Sequence, residues 1–223
     1  MAQKKSGDKG LRNTVIGTVI FAVVALGAVA IYSNGSSKTV LPASTSKSDG
    51  FGITFNKSAT PQIDIWEDFQ CPICRTFEGI NNSYINDLAK SGRAKVVFHP
   101  MSFIGIESVV AANAAACSNE ENRFLDFHKA LYENQSSTEN SGRWTPAAML
   151  SLGKSIGLST QKFTDCVNNN KFTGWVKSVE DAAAAKNVNA TPTVFVNGKE
   201  IDRKTQYMDA NAFKAAIAAA GAK

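Results

Sequence analysis

Apolar residues change their spacing several times along this chain, and each change marks an element. Thr14 to Tyr32 is a continuous uncharged run, and Ser33 to Gly50 then turns to Ser, Thr, Gly and Lys. From Gln62 to Phe69 apolar and polar residues largely alternate, the period of two that predicts a strand. Phe77, Ile80, Tyr84, Ile85 and Leu88 recur at helical spacing, and after Ser91-Gly92 the stretch Arg93 to His99 predicts a second strand. This is a βαβ unit, whose parallel strands require a right-handed crossover. Phe51 to Phe55 predicts a short strand ahead of it.

From Glu107 to Asn187 the pattern is helical throughout. An Ala-rich helix ends near Cys117, a second carries Phe124, Leu125, Phe127, His128 and Leu131, and Thr145-Pro146 opens a third that Gly157 ends. Ser159 is expected to cap a fourth containing Phe163, Cys166 and Val167, and Trp175, Val176, Val179 and Ala183 define a fifth. Val188 to Ile201 returns to strand periodicity around Asn197-Gly198, a hairpin turn. A last helix is predicted from about Asp209 to Ala220. His128 reads as a surface residue and His99 as a strand-end residue.

The N-terminal run follows a basic tail, residues 1–13, with Lys4, Lys5, Lys9 and Arg12. As a helix, 14–32 would be roughly 28 Å long, about the thickness of a bilayer's hydrocarbon core. The basic tail is expected to stay cytoplasmic and the remainder to lie outside. Ala28-Val29-Ala30 also fits a signal-peptidase site, which would remove the segment but deliver the same compartment. Residues 33–50 read as a flexible tether with a reach on the order of 20 Å. At 223 residues and 43% hydrophobic composition, residues 51–223 suffice for one full-sized domain. The net charge of +5 is modest, and no basic stripe with interleaved aromatics indicates nucleic-acid binding.

The chemistry concentrates at Cys71-Pro72-Ile73-Cys74, where the strand gives way to a helix. Pro72 suits the first helical turn. Unpaired N–H groups and the positive end of the helix dipole favour a thiolate at Cys71, making it nucleophile and leaving group. Cys74, one turn deeper, is placed to resolve a mixed disulfide. The Ile73 side chain donates no hydrogen bond, so backbone N–H groups must carry most of the stabilisation. The alternative is half of a zinc site. Two more ligands would be needed, and Cys117, Cys166, His99 and His128 lack the usual paired spacing.

Together with Ala190-Thr191-Pro192-Thr193 before the hairpin, the Cys-Pro-Ile-Cys motif resembles the thioredoxin superfamily. The long helical stretch between the two motifs resembles, more closely, the membrane-anchored bacterial DsbA-like thiol-disulfide oxidoreductases. The resemblance covers about residues 51–223. It implies an α/β thioredoxin fold with a helical domain inserted at about 105–187, here preceded by one N-terminal transmembrane helix. It also implies catalysis by Cys71 and Cys74, a cis bond before Pro192, and a substrate-binding surface of Pro72, Ile73, Thr191 and Pro192. Many relatives carry an acidic residue six positions before the first cysteine, where this chain has Ile65. Glu67, on the same strand face, is the substitute proton acceptor considered. Ile73 stands where strongly oxidising members have His. With Cys71 and Cys74 as the exchanging pair that the resemblance implies, Cys117 and Cys166 remain as a structural bridge, stabilising by roughly 3 to 4 kcal/mol.

The reading is an extracytoplasmic oxidoreductase that introduces disulfides into exported proteins carrying free thiols. By resemblance, it would be reoxidised by a quinone-linked membrane enzyme of the DsbB or VKOR type. No cofactor motif for flavin or nicotinamide occurs. Rival readings are a reductase or isomerase of the same fold, a thioredoxin-like copper- or other metal-binding protein, and a non-catalytic binding module.

Overall fold

The computed structural model describes residues 39–221, and the expected membrane span and basic tail lie outside them. Among the described residues no helix is long and apolar enough to cross a membrane. They form a mixed α/β thioredoxin-like fold: a five-stranded sheet and seven α-helices. The strands are β1 (Ile53–Phe55), β2 (Gln62–Asp68), β3 (Lys95–Met101), β4 (Thr193–Val196) and β5 (Lys199–Glu200), in the order β1-β3-β2-β4-β5. The βαβ unit is present, with β2 and β3 parallel in the register Ile63↔Val96, Ile65↔Phe98 and Glu67↔Pro100.

Lying between β3 and β4, β2 is buried on both faces along nearly its whole length. Its polar residues Asp64, Glu67 and Asp68 therefore lie inside the protein. The strand expected to stop at His99 continues through Pro100 to Met101. Pairing with β1 ends at Phe98, so the proline, which lacks an N–H, lies beyond the ladder on that side. His99 sits in mid-strand and fully buried, stacked on Trp66 at a ring separation of 3.7 Å and hydrogen-bonded to Asp64 at 3.1 Å.

Helix α1 (Pro72–Ser91) begins at Cys71, its N-cap, with Pro72 in the first turn, and ends at Gly92 in the left-handed conformation that only glycine adopts cheaply. The insertion comprises α2 (Ile106–Asn119), α3 (Phe124–Glu133), α4 (Pro146–Ser155), α5 (Gln161–Asn168) and α6 (Thr173–Ala185). Residues 111–116 of α2 are wholly buried, because alanine side chains let the other helices approach closely. The cap of α5 is Thr160 rather than Ser159: the Thr160 hydroxyl accepts from Phe163 N–H at 3.0 Å. Asn197 and Gly198, both at positive φ, close the β4–β5 hairpin. Helix α7 (Ala210–Ala219) docks Phe213 edge-on against Phe77 of α1.

Two further expectations are corrected. Residues 39–50 are not a free tether. Thr45 bridges Ile53, Ala43 N–H donates to Glu120, and the buried carboxylate of Asp49 pairs with Lys95 Nζ at 2.6 Å. A short 3-10 turn over Lys47–Asp49 presents that carboxylate, and Asp49 needs the pairing once desolvated. His128, expected at the surface, is fully buried, since the face of α3 that carries Phe124 and Leu131 also carries residue 128.

Candidate active site

The local sequence places two sulfurs differently on one helix end. Cys71 is the N-cap, its side chain at the tip of α1 and 8% exposed, whereas Cys74 lies inside the first turn with no exposure. Both are free thiols. Across the sequence, the loop before β4 brings the Thr191 carbonyl oxygen to 3.5 Å from Cys71 Sγ. The Thr191–Pro192 bond is cis and Pro192 is buried. Beside Cys71, Ile73 stands 56% exposed and Pro72 is also at the surface.

The two thiols are driven apart electrostatically. The Cys71 thiol is lowered to about 6, chiefly by a hydrogen bond from the Cys74 thiol, with help from the Cys74 and Ile73 backbone amides and against the cost of burial. Thr191 acts in both senses: its carbonyl accepts from the neutral thiol, while its side chain favours the thiolate. Cys74 is pushed well up, first by burial and then by the hydrogen bond and charge of Cys71 and the charge of Glu67. A reactive, partly accessible thiolate thus stands over a buried thiol that holds its proton.

Behind Cys74 lies a buried polar cluster. Glu67 from β2 and His128 from α3 meet at 2.5 Å through Oε1 and Nε2, and His128 Nδ1 is 3.8 Å from Oε2 of Glu78 on α1. Tyr132 Oη reaches toward Glu67 without closing a hydrogen bond of normal geometry. Burial pushes both carboxyls up to about 8, Glu78 further through the charge of Glu67, and holds His128 below its ordinary value. Among the described residues, Glu67, Glu78 and His128 also form the grouping whose ligand atoms could hold a cation.

The turn before Cys71 is fastened by groups with no sequence motif. Asp68, its carboxyl raised to about 6 by burial, accepts from the Gln70 amide at 2.8 Å, Ser108 Oγ at 2.6 Å and the Ile104 amide at 3.1 Å. Gln135 Nε2 donates to the carbonyls of Phe69 and Cys71 at 2.7 and 3.0 Å. The Asp68–Ile104 bond also fixes the loop that carries Phe103 and leads into α2 at Ile106, apolar side chains 44% and 70% exposed. Far from this site in sequence, Cys117 of α2 and Cys166 of α5 form a disulfide, Cα–Cα 5.8 Å.

A family model described as thioredoxin matches residues 54–218, most of the chain, and takes in both the cysteine pair and the Thr191–Pro192 loop. The chain belongs to the thioredoxin family. Within it, the likeness is to DsbA-like thiol-disulfide oxidoreductases. The chain is 30% identical over 145 residues to disulfide bond formation protein D of Bacillus subtilis, covering 63% of this chain and 64% of that one. The match thus spans a little under two thirds of that relative's length. Among solved structures, MdbA of Actinomyces oris, a thiol-disulfide oxidoreductase, superposes with a TM-score of 0.69 at 25% identity, covering 82% of this chain and 94% of that one. BdbD of Bacillus subtilis in its oxidised form gives 0.64 at 26% identity, with 82% and 98% covered. In this thioredoxin-family chain, the N-terminal end of α1, just after β2, carries the cysteines and the loop before β4 carries the proline.

Proposed function

We propose that this protein introduces disulfide bonds into exported proteins by dithiol-disulfide exchange through Cys71 and Cys74. The observation that carries the proposal is the pairing of a depressed thiol at the α1 cap with a buried, raised thiol one turn deeper, under the Thr191 carbonyl. In the oxidised form a substrate thiolate attacks Cys71 Sγ, forming a mixed disulfide and displacing Cys74 as a thiolate. Glu67 supplies the proton that Cys74 takes up and accepts it again on reoxidation. A second substrate thiolate then attacks the substrate sulfur of the mixed disulfide, and Cys71 leaves as its stable thiolate. Two electrons pass from the substrate dithiol to the cysteine pair.

Stabilising the Cys71 thiolate stabilises the reduced protein, which is what makes such a pair an oxidant. Extended substrate chain would lie along the Thr191–Pro192 loop in the manner of an added strand, with exposed Pro72, Ile73, Phe103 and Ile106 offering apolar contact. The uncharged run 14–32 behind its basic tail supports a single membrane anchor with this domain outside the cytoplasmic membrane. Reoxidation there falls to a quinone-linked membrane enzyme.

The test is oxidation of a reduced, unfolded protein with two thiols by the full chain. Cys71→Ser is expected to abolish product, and Cys74→Ser, first loaded at Cys71 with glutathione as a mixed disulfide, to release glutathione thiolate to solvent and trap the substrate covalently when a substrate thiolate attacks the Cys71 sulfur. Full oxidation by the Cys71→Ser variant would refute the proposal.

A further inference from the structure

Strand β5 turns the chain back along β4, and the register Phe195↔Glu200 continues to Ile201, whose N–H donates to the Val194 carbonyl at 3.1 Å. Carried two residues further, the same register brings Arg203 level with Pro192, beside the loop that meets Cys71. The stretch 202–208 is fastened in that position. The Asp202 carboxylate accepts from the amides of Lys204 and Thr205 at 2.7 and 3.2 Å. The buried Tyr207 accepts the Val194 amide on its hydroxyl at 2.6 Å, and its carbonyl accepts from Asn81 of α1 at 2.8 Å.

The Arg203 guanidinium is turned toward the proline loop. Its Nη2 donates to Thr193 Oγ1 at 2.6 Å and to Glu200 at 3.1 Å, while the Thr193 hydroxyl donates to the Ala190 carbonyl at 2.7 Å. Two hydrogen bonds in series thus tie the cation to the loop that carries Thr191. Both guanidinium bonds use Nη2. Among the described residues Nε and Nη1 make no hydrogen bond, and the side chain is 42% exposed. A surface ion pair with Glu200 accounts for one of these bonds but not for the grip on the buried Thr193, and such exposed pairs hold a side chain only weakly. The N–H groups left open match a carboxylate.

We infer that Arg203 selects substrates whose exchanging cysteine is flanked by an acidic side chain, taken up on Nε–H and Nη1–H as the substrate chain passes the Thr191–Pro192 loop. The inference rests on the proposed exchange at Cys71 and adds to it a specificity-determining residue. Thr193 lies two residues beyond Thr191, and an extended chain advances about 3.3 Å per residue, so the acid is expected about two positions from the residue opposite Thr191. The neighbouring charges leave this role to Arg203. Asp202 is engaged by its own loop, Glu200 shares only Nη2, and the exposed Lys204 adds charge of the same sign. The contact forms at the rim, so it acts on encounter and is largely screened at 1 M salt, where the Debye length is about 3 Å.

The test measures the rate at which short two-thiol peptides reduce the oxidised full chain. The peptides differ at one position, Asp, Asn or Lys, set two residues before or after the first cysteine. Each rate is divided by that of the same peptide with glutathione disulfide, which removes the effect of the charge on the peptide's own thiol. At low salt the chain is expected to prefer the Asp peptide to the Lys peptide about fivefold on one side of the cysteine, the upper end for an exposed ion pair, and to lose most of that preference at 1 M salt. Arg203→Gln should bring the ratio near one, Arg203→Glu should invert it, and Arg203→Lys should keep part of it. Thr193→Val keeps the cation but frees it from the loop, and should lower the ratio at unchanged net charge. A ratio taken within each variant cancels any loosening of the loop that slows all peptides alike. A preference that survives Arg203→Gln, or rates in the unaltered chain that ignore peptide charge, would overturn the inference and leave the exchange standing. No exchange with any peptide would overturn both.

Discussion

The Thr191 carbonyl oxygen lies 3.5 Å from Cys71 Sγ, although 120 residues separate the two in sequence. The contact joins the two ends of the thioredoxin fold across the helical insertion. It puts the reactive sulfur beside a backbone group that an incoming chain can also use. The predictions below follow from how that sulfur and its partner are held.

Cys71 should ionise far below a free thiol. Its alkylation rate by iodoacetamide is expected to rise with a midpoint near pH 6, with Cys74 unreactive over the same range. The sign for stability follows: the folded thiol loses its proton at about 6, while the unfolded one keeps it to about 9. Reduced protein should therefore gain stability as pH rises between these values and lose it as pH falls through 6. Denaturant midpoints of the reduced chain at pH 5 and pH 8 measure this, and Cys71→Ser should remove it.

Glu67 and Glu78 act in the opposite sense. Unfolded, they ionise near 4.5; folded, burial keeps them protonated to about 8. Their contribution is fully present below 4.5 and disappears as pH rises through 8. In the Cys71→Ser background, where the thiolate is absent, stability should fall over that window. Glu67→Gln should flatten the fall, and an unchanged slope would show that the carboxyl is already ionised.

Gln135 is a residue of no recognisable motif whose amide holds the Phe69 and Cys71 carbonyls. Gln135→Ala leaves both without that donor, so a loss of about 1 to 3 kcal/mol is expected from chemical denaturation, together with slower exchange.

Removing the Cys117–Cys166 bridge, which spans 49 residues, should cost about 4 kcal/mol by the chain-entropy relation. Because the bridge ties α2 to α5 and touches no reacting group, the Cys117→Ala, Cys166→Ala double variant should keep its exchange rate below its lowered melting temperature.

What the chain reveals by itself depends on the range of the interaction. The strands, the α1 cap at Cys71, the Asn197-Gly198 hairpin and the five helices of the insertion are set by local spacing and turn chemistry, and they are readable. His128 and Glu78 are not read so easily, since a polar residue on an apolar helix face is legible only when its partner is known. A signal exists even so: Glu78 lies one turn beyond Cys74, and His128 lies one turn beyond Phe124, so both fall on inward faces. Asp49 gives no such signal. Its partner Lys95 is 46 residues away, and a Ser- and Lys-rich approach looks like a tether until that pairing is seen.

The reduction potential of the Cys71–Cys74 couple, equilibrated against glutathione in the full chain, tests the proposed direction of electron flow most directly. A thiolate stabilised over a buried thiol should yield an oxidising value, nearer about −120 mV, whereas a value near about −270 mV, that of a thioredoxin reductant, would contradict it.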